Sequence, residues 1–129
     1  MSLKIPKNIK LILNGEKLKG ETILYKNNNF ILLIDPKNTK ESFHYTAWYK
    51  YEIPSLNFVT FDILNQIFDL KNELINNNII DENTIIFLHY PPQFYRLHVH
   101  FVDKNHKFNA PNEEIFFLEN IYKFIKSKL

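Results

Sequence analysis

One short segment of the chain carries an arginine and two histidines at alternate positions. Residues 95–102 read YRLHVHFV. Successive side chains of a β-strand point to opposite faces, so Arg96, His98 and His100 would share one face and the apolar residues between them the other. The sequence therefore predicts a strand that presents three polar groups together above a packed apolar face.

This polar row is suited to phosphoryl chemistry. A neutral imidazole can attack phosphorus and form a phosphoramidate, which splits one difficult displacement into two easier ones. His98 is central and is the best placed nucleophile, while His100 and Arg96 could hold the non-bridging oxygens. Arg96 is the only arginine of the chain, and its planar fork of donors matches phosphate. His89 is a further candidate phosphate contact.

Two other interpretations of the histidines remain open on spacing alone. Histidines two apart on a strand can bind zinc, and a third ligand could come from His89, His44 or His106. The pair could also be structural, because polar residues normally occupy a solvated sheet face. We favour the phosphoryl chemistry, which needs no metal and no cofactor.

Composition limits the class of protein. A chain of 129 residues that is 45% hydrophobic can build one domain with a real core. The formal net charge of +2 is far from the basic footprint of proteins that bind long nucleic acids, but it is compatible with a small phosphorylated ligand. The absence of cysteine excludes disulfides, thiolate metal sites and a thiol nucleophile.

The N-terminal residues indicate the cellular location that we expect for the protein. MSLKIPKNIKLILNGEK has no unbroken apolar stretch of the kind found in signal peptides. No apolar run approaches the roughly 20 residues that span a bilayer. We therefore expect an intracellular protein of the cytoplasm, with the nucleus as a second location, that does not interact with membranes.

The first half of the chain predicts a hairpin. Residues Glu21–Tyr25 and Phe30–Ile34 are mostly β-branched or aromatic, and Asn27–Asn29 between them reads as a turn. Asp35 and Pro36 would end the second strand. The aromatic stretch Lys40–Tyr51 is poorly periodic and predicts either a further strand or a covering loop.

The second half predicts helix, strands and helix. Apolar spacings of three and four predict a long helix over Phe58–Asn76, followed by strands over Thr84–Tyr90 and Tyr95–Val102. The tail Asn112–Leu129 reads as a helix with Asn112 as its N-cap and Ile115, Leu118, Tyr122 and Ile125 along one face. The order of elements predicts an α+β domain with a mainly antiparallel sheet, a long central helix and a C-terminal helix.

A longer string around the histidines resembles a known family. Residues 89–101 read HYPPQFYRLHVHF, residues 30–37 read FILLIDPK and residues 53–56 read IPSL. In this order the three segments are similar to the C-terminal catalytic domain of scavenger mRNA-decapping enzymes, in the histidine-triad (HIT) superfamily, over roughly Leu18 to Phe124. The resemblance implies one HIT-like domain over residues 1–129, without the family's N-terminal dimerisation domain, that works as a homodimer.

The resemblance also implies roles and a reaction. His98 takes the position of the nucleophilic histidine and His100 that of the third triad histidine, while Arg96 stands at the first. The implied reaction is hydrolysis of the triphosphate bridge in a short capped RNA or cap dinucleotide, releasing a nucleoside monophosphate without a metal. The positions implied to contact the substrate are Asp35, Lys37, His89, Gln93 and Phe94, of which Gln93 and Phe94 replace a serine and a tyrosine of the family.

The base-binding residues differ from the family pattern. No aromatic residue lies near Ile9, where the family has the tryptophan that stacks on the methylated base, and Lys19 replaces its base-reading glutamate. Trp48, the only tryptophan, could take the stacking role or could be a core or dimer-interface residue.

Two other functions stay open beside decapping. One is a HIT-type hydrolase or transferase that acts on dinucleoside polyphosphates or nucleotidyl conjugates. The other is a cap-binding or nucleotide-binding module without catalysis, which the altered triad suggests.

Overall fold

The structure is a computed structural model that describes residues 23–51, 59–90, 97–107 and 114–127. The strands are β1 (Ile23–Lys26), β2 (Phe30–Ile34), β3 (His44–Tyr49), β4 (Ile85–Tyr90), β5 (His98–Val102) and β6 (Glu114–Phe117). The helices are α1 (Phe61–Asn76) and α2 (Leu118–Lys126).

The strands form one six-stranded sheet in the order β1-β2-β3-β5-β4-β6. Every described pairing is antiparallel. The predicted α+β class, with a mainly antiparallel sheet, a long helix and a C-terminal helix, is confirmed. The architecture is consistent with a HIT-like fold.

The asparagine turn between β1 and β2 forms as predicted. The side-chain oxygen Oδ1 of Asn27 accepts hydrogen bonds from the backbone N–H groups of Asn29 and Phe30, both at 2.8 Å. The hairpin is also tied to α1, because the Tyr25 hydroxyl donates to Oε1 of Glu73 at 2.7 Å. The Asn27 turn and the contact between Tyr25 and Glu73 together stabilise β1 at the edge of the sheet.

One face of the sheet packs against the helices and forms the core. Residues at alternate positions of the strands meet the apolar stripe of α1, and the fully buried side chains of this cluster include Phe30, Leu32, Val99, Phe101, Leu64, Ile67, Leu70 and Leu74. Periods of two in the strands and of three to four in the helix give each element one apolar face. Neither of the described helices is long and apolar enough to cross a membrane.

The long helix begins later than predicted, at Phe61 rather than Phe58. Thr60 is its N-cap, and the Thr60 hydroxyl accepts a hydrogen bond from the backbone N–H of Ile63 at 3.2 Å. The helix ends at Asn76, and Asn78 has a left-handed φ of 59°, which asparagine tolerates better than most residues. The Thr60 N-cap therefore determines where α1 begins, and the asparagine run determines where it ends.

The uncertain aromatic stretch contains a full strand, β3. It lies inside the sheet between β2 and β5, where its alternate residues are buried on both faces. Only residues 44–49 of the stretch form the strand, and residues 40–43 and 50–51 lie outside it. The stretch as a whole is therefore poorly periodic.

The prediction of one helix over Asn112–Leu129 is wrong in its first part. Residues Glu114–Phe117 form β6, which pairs with β4 in the register Phe87↔Phe117 and His89↔Ile115. The N-cap position belongs to Phe117, not to Asn112, which lies outside the described residues. Pairing with β4 supplies backbone hydrogen bonds to a β-prone Ile-Phe-Phe stretch, and this tertiary contact overrides the helical spacing. Leu118, Tyr122 and Ile125 do pack on the core.

Candidate active site

The second face of the sheet carries the polar residues. His98 lies opposite Trp48, and His100 lies opposite Thr46, across the β3–β5 pairing. His98 and His100 therefore share a face, as predicted, while the apolar residues between and beside them, Leu97, Val99 and Phe101, belong to the core on the other face. Arg96 lies outside the described residues.

His98 is held against an aromatic ring. The indole of Trp48 stacks on the imidazole of His98 with 4.4 Å between ring centroids and 22° between ring planes. Trp48 is 7% exposed, whereas His98 is half-buried. The stacking restricts the plane of the imidazole while the ring keeps some contact with solvent.

His100 is more deeply enclosed, with 7% exposure. The ring of Phe87 on β4 stacks on it at 4.9 Å and 10°, and the ring of His98 meets it nearly edge-on at 5.0 Å. Both histidines of the β5 row are thus oriented by an aromatic residue from a neighbouring strand.

A third histidine of this face lies next to His100. Nε2 of His44 and Nδ1 of His100 are 2.8 Å apart, and the tautomers decide which ring donates the hydrogen bond. The same Nε2 is 3.8 Å from Oδ2 of Asp35, an ion pair when His44 is protonated. His44 is 3% exposed, so this polar chain is buried below the sheet surface.

Asp35 is fixed by the turn that ends β2. Its Oδ1 accepts a hydrogen bond from the backbone N–H of Lys37 at 2.9 Å, which is an Asx turn. Its Oδ2 accepts one from the hydroxyl of Thr46 at 2.8 Å. The carboxylate is therefore aimed at the histidine pair by a backbone group and a side chain from two elements.

His106 lies beside His44 at the end of the site that contains Asp35. The backbone N–H of His106 donates to the carbonyl of Asp103 in the turn after β5, and its ring lies perpendicular to that of His44 at 5.4 Å. Burial lowers the pKa of His106, and the nearby Lys37 charge lowers it further, while Asp35 acts in the opposite direction. The exposed Lys37 thus contributes its charge to the same region.

The structure brings together three of the predicted site residues, Asp35, His98 and His100, which are linked through His44, and it places the charge of Lys37 near His106. His89 has its backbone in β4 opposite Ile115, and its side chain lies outside the description. Gln93 and Phe94 fall outside the described residues, as Arg96 does.

Sequence reasoning missed part of this site. The sequence predicts no role for Thr46, and it predicts His44 and His106 only as alternative third ligands for zinc. A signal was present, because His44, Thr46 and Trp48 alternate in the same way as His98 and His100. The alternation becomes a site signal once residues 44–49 are known to form a strand.

Among the described residues, Asp35, His44 and His100 could hold a metal ion. One ligand atom from each lies within 4.8 Å of the others. This set differs from the sequence-based zinc alternative, since it contains a carboxylate and does not contain His98.

The arrangement is suited to an anionic, phosphorylated ligand. It offers a half-buried imidazole beside a second one, a lysine at the rim and a carboxylate acceptor, on a sheet whose other face is a rigid core. An imidazole and a nearby positive charge are groups that phosphoryl transfer through a histidine can use.

Comparison with known proteins agrees with the resemblance drawn from the histidine segment. The family model described as "Scavenger mRNA decapping enzyme C-term binding" matches residues 9–115, which is most of the chain and includes the whole candidate site. A search of curated proteins found no match. The chain therefore belongs to the scavenger mRNA-decapping enzyme C-terminal family, a histidine-triad family of nucleotide hydrolases.

Proposed function

We propose that this protein hydrolyses the triphosphate bridge of a short capped RNA or cap dinucleotide and releases a nucleoside monophosphate. The observation that supports this most strongly is the placement of His98. Its imidazole is half-buried, stacked on Trp48 and adjacent to His100, within a chain of the decapping family.

The reaction proceeds in two displacements. In the first, a ring nitrogen of neutral His98 attacks a phosphorus of the bridge, an N–P bond forms, and the P–O bond to the rest of the bridge breaks. The leaving oxygen takes up a proton. In the second, water attacks the same phosphorus and loses a proton, the N–P bond breaks, and the nucleoside monophosphate leaves with neutral His98 restored. No oxidation state changes in either step.

His100 and Arg96 are proposed to stabilise the charge that develops on the non-bridging oxygens. The orientation of His100 comes from Phe87 on one ring face and from the hydrogen bond with His44. Such fixed donors contribute to catalysis because they need no reorganisation when the charge appears.

Asp35 and Lys37 are proposed to bind the nucleotide part of the substrate. Both carboxylate oxygens of Asp35 already accept a hydrogen bond, but an ionised carboxylate has about four acceptor sites. Asp35 can therefore still accept a hydrogen bond from a sugar hydroxyl. His89, Gln93 and Phe94 complete the proposed set of substrate contacts.

The test compares the wild type with His98→Asn, which keeps a polar side chain but removes the nucleophile. Both proteins are incubated with methylated and unmethylated cap dinucleotides and with a diadenosine polyphosphate, in the presence of a chelator, and products are separated by chromatography. We expect the wild type to release methylguanosine monophosphate and His98→Asn to be at least about a thousandfold slower.

A matched control is Asn105→Ala, an exposed substitution in the turn after β5 that should retain wild-type rates. A covalent adduct on His98, detected by mass spectrometry after acid-free quenching, would support the intermediate directly. Cleavage of the diadenosine compound alone would move the substrate to dinucleoside polyphosphates. Equal inertness of wild type and His98→Asn, with nucleotide binding retained, would overturn the hydrolase and favour a binding module.

A further inference from the structure

We propose that Asp35, His44 and His100 form a binding site for a divalent transition-metal ion of the zinc class. This site goes beyond the proposed hydrolysis, and the reasoning for it does not depend on that reaction. It uses two residues, His44 and Thr46, that the proposed mechanism does not require as substrate contacts.

The donor set is the first observation. Two imidazole nitrogens and one carboxylate oxygen, from the end of β2, from β3 and from β5, lie within 4.8 Å of one another. Two histidines and a carboxylate are a common zinc ligand set that leaves further coordination positions open. Imidazole ligands favour zinc, cobalt, nickel and copper over magnesium and calcium, which prefer oxygen ligands.

The second observation is that two of the three ligands are already oriented by other residues. The Thr46 hydroxyl and the Lys37 backbone N–H hold the Asp35 carboxylate, and the Phe87 ring stacks on His100. Hydrogen bonds and packing around the ligands are typical of metal sites, because they fix ligand orientation before the ion arrives. Burial of His44 and His100 also limits competition from water.

Metal binding would require the three ligand atoms to shift. Nε2 of His44 and Nδ1 of His100 are 2.8 Å apart, while two ligands at about 2.0 Å from a tetrahedral zinc ion are about 3.3 Å apart. To bind the ion, these two nitrogens would separate by about 0.5 Å, and the Asp35 carboxylate, whose Oδ2 is 3.8 Å from Nε2 of His44, would move towards them. The ion would then replace the proton between the rings, and the donating imidazole would carry its proton on its other ring nitrogen.

The experiment uses the full chain after treatment with a chelator and removal of that chelator. Zinc affinity is measured by competition with a chromophoric chelator, and cobalt binding by its visible absorption. We expect one zinc ion per chain with a Kd below about 10 μM, and no competition from an excess of magnesium. A wild-type Kd above about 100 μM would overturn the proposal.

Variants distinguish this site from a simple pair of neighbouring histidines. We expect His44→Gln and Asp35→Asn to weaken zinc binding about 100-fold or more, and Thr46→Val to weaken it about tenfold. His98→Asn is the control and should bind zinc as the wild type does. If His98→Asn loses binding and Asp35→Asn keeps it, the proposed ligand set is wrong.

Folding is checked by circular dichroism for every variant. If buried His44→Gln does not fold, the half-buried Asp35→Asn decides the result. Because the hydrolysis assay is run with chelator and the binding assay without substrate, either proposal can fail while the other stands.

Discussion

At the scale of single residues, the orientation of His98 depends on the rings around it. Trp48 lies nearly parallel to it at 4.4 Å, and His100 meets it edge-on at 5.0 Å. A nucleophilic imidazole has to present one nitrogen in line with the bond that breaks, so restricting the plane of the ring matters for the rate. We therefore propose that Trp48 is a positioning residue that acts through His98.

Replacing Trp48 with leucine should therefore lower kcat by about 2- to 10-fold, because an aromatic contact of this kind contributes about 0.5–1.5 kcal/mol. Trp48→Phe retains a ring and should lose less. The measurement is the hydrolysis rate of the cap dinucleotide under saturating conditions.

An independent readout is the nuclear magnetic resonance signal of the His98 ring proton between the two nitrogens. The ring current of Trp48 should displace this signal in the wild type, and Trp48→Leu should return it towards its value in an isolated peptide. Wild-type rates in Trp48→Leu together with an unmoved signal would contradict the positioning role.

At the scale of elements, the carboxylate of Glu73 on α1 accepts hydrogen bonds from two side chains of the first hairpin. The Tyr25 hydroxyl and the Asn27 side-chain amide donate to the two oxygens of Glu73 at 2.7 and 3.2 Å. The hydrogen bond to Glu73 raises the pKa of Tyr25 above 10.0, and burial and the negative charge of Glu73 add to this. The contact exists in this form only while the phenol is protonated.

The attachment should consequently weaken in alkali. A group whose pKa is higher in the folded protein stabilises the fold fully below its unfolded value and loses this contribution as the pH rises through the folded value. We expect the free energy of unfolding to fall as the pH rises above about 10, and to fall less steeply in Tyr25→Phe.

The measurement is urea unfolding followed by circular dichroism at several pH values. Tyr45→Phe is a suitable control, because it removes a phenol from another strand. Parallel pH curves for Tyr25→Phe and the wild type would show that Tyr25 does not couple the hairpin to α1.

At the scale of the whole molecule, the residues that stabilise the fold and the residues of the candidate site lie on opposite faces of the sheet. Helix α1 and the apolar side chains form the core on one face, and the histidines, Asp35 and Trp48 lie on the other. The core face positions the strands, and the strands position the site. Truncation of a buried side chain on the core face should therefore lower the free energy of unfolding and leave the rate of the proposed reaction unchanged.

Leu70→Ala tests this separation. Leu70 is fully buried in α1, so the substitution should lower the free energy of unfolding by about 2–5 kcal/mol. The adjacent exposed residue gives a matched control, since Asp69→Ala should change stability by no more than about 0.5 kcal/mol. Urea unfolding measures both.

At urea concentrations below the midpoint of its own unfolding transition, the Leu70→Ala protein should hydrolyse the cap dinucleotide with wild-type kcat. A folded Leu70→Ala protein with a strongly reduced kcat would mean that the two faces of the sheet are coupled.

Much of the fold could be predicted from local patterns. Asn27 and its neighbours indicated the first turn, the spacing of apolar residues indicated α1, and alternation indicated that His98 and His100 share a face. These features depend on contacts between residues that are close in sequence, so the chain itself carries their signal.

The tertiary structure decided the rest. Residues 114–117 became a strand because β4 lay beside them, although their spacing suits a helix. His44 and His100 are 56 residues apart and meet only because β3 is inserted between β2 and β5. Local patterns were enough to predict the family, the class of fold and the shared face of His98 and His100. The partners of those histidines depend on strand order, which arises from long-range pairing that no local period encodes.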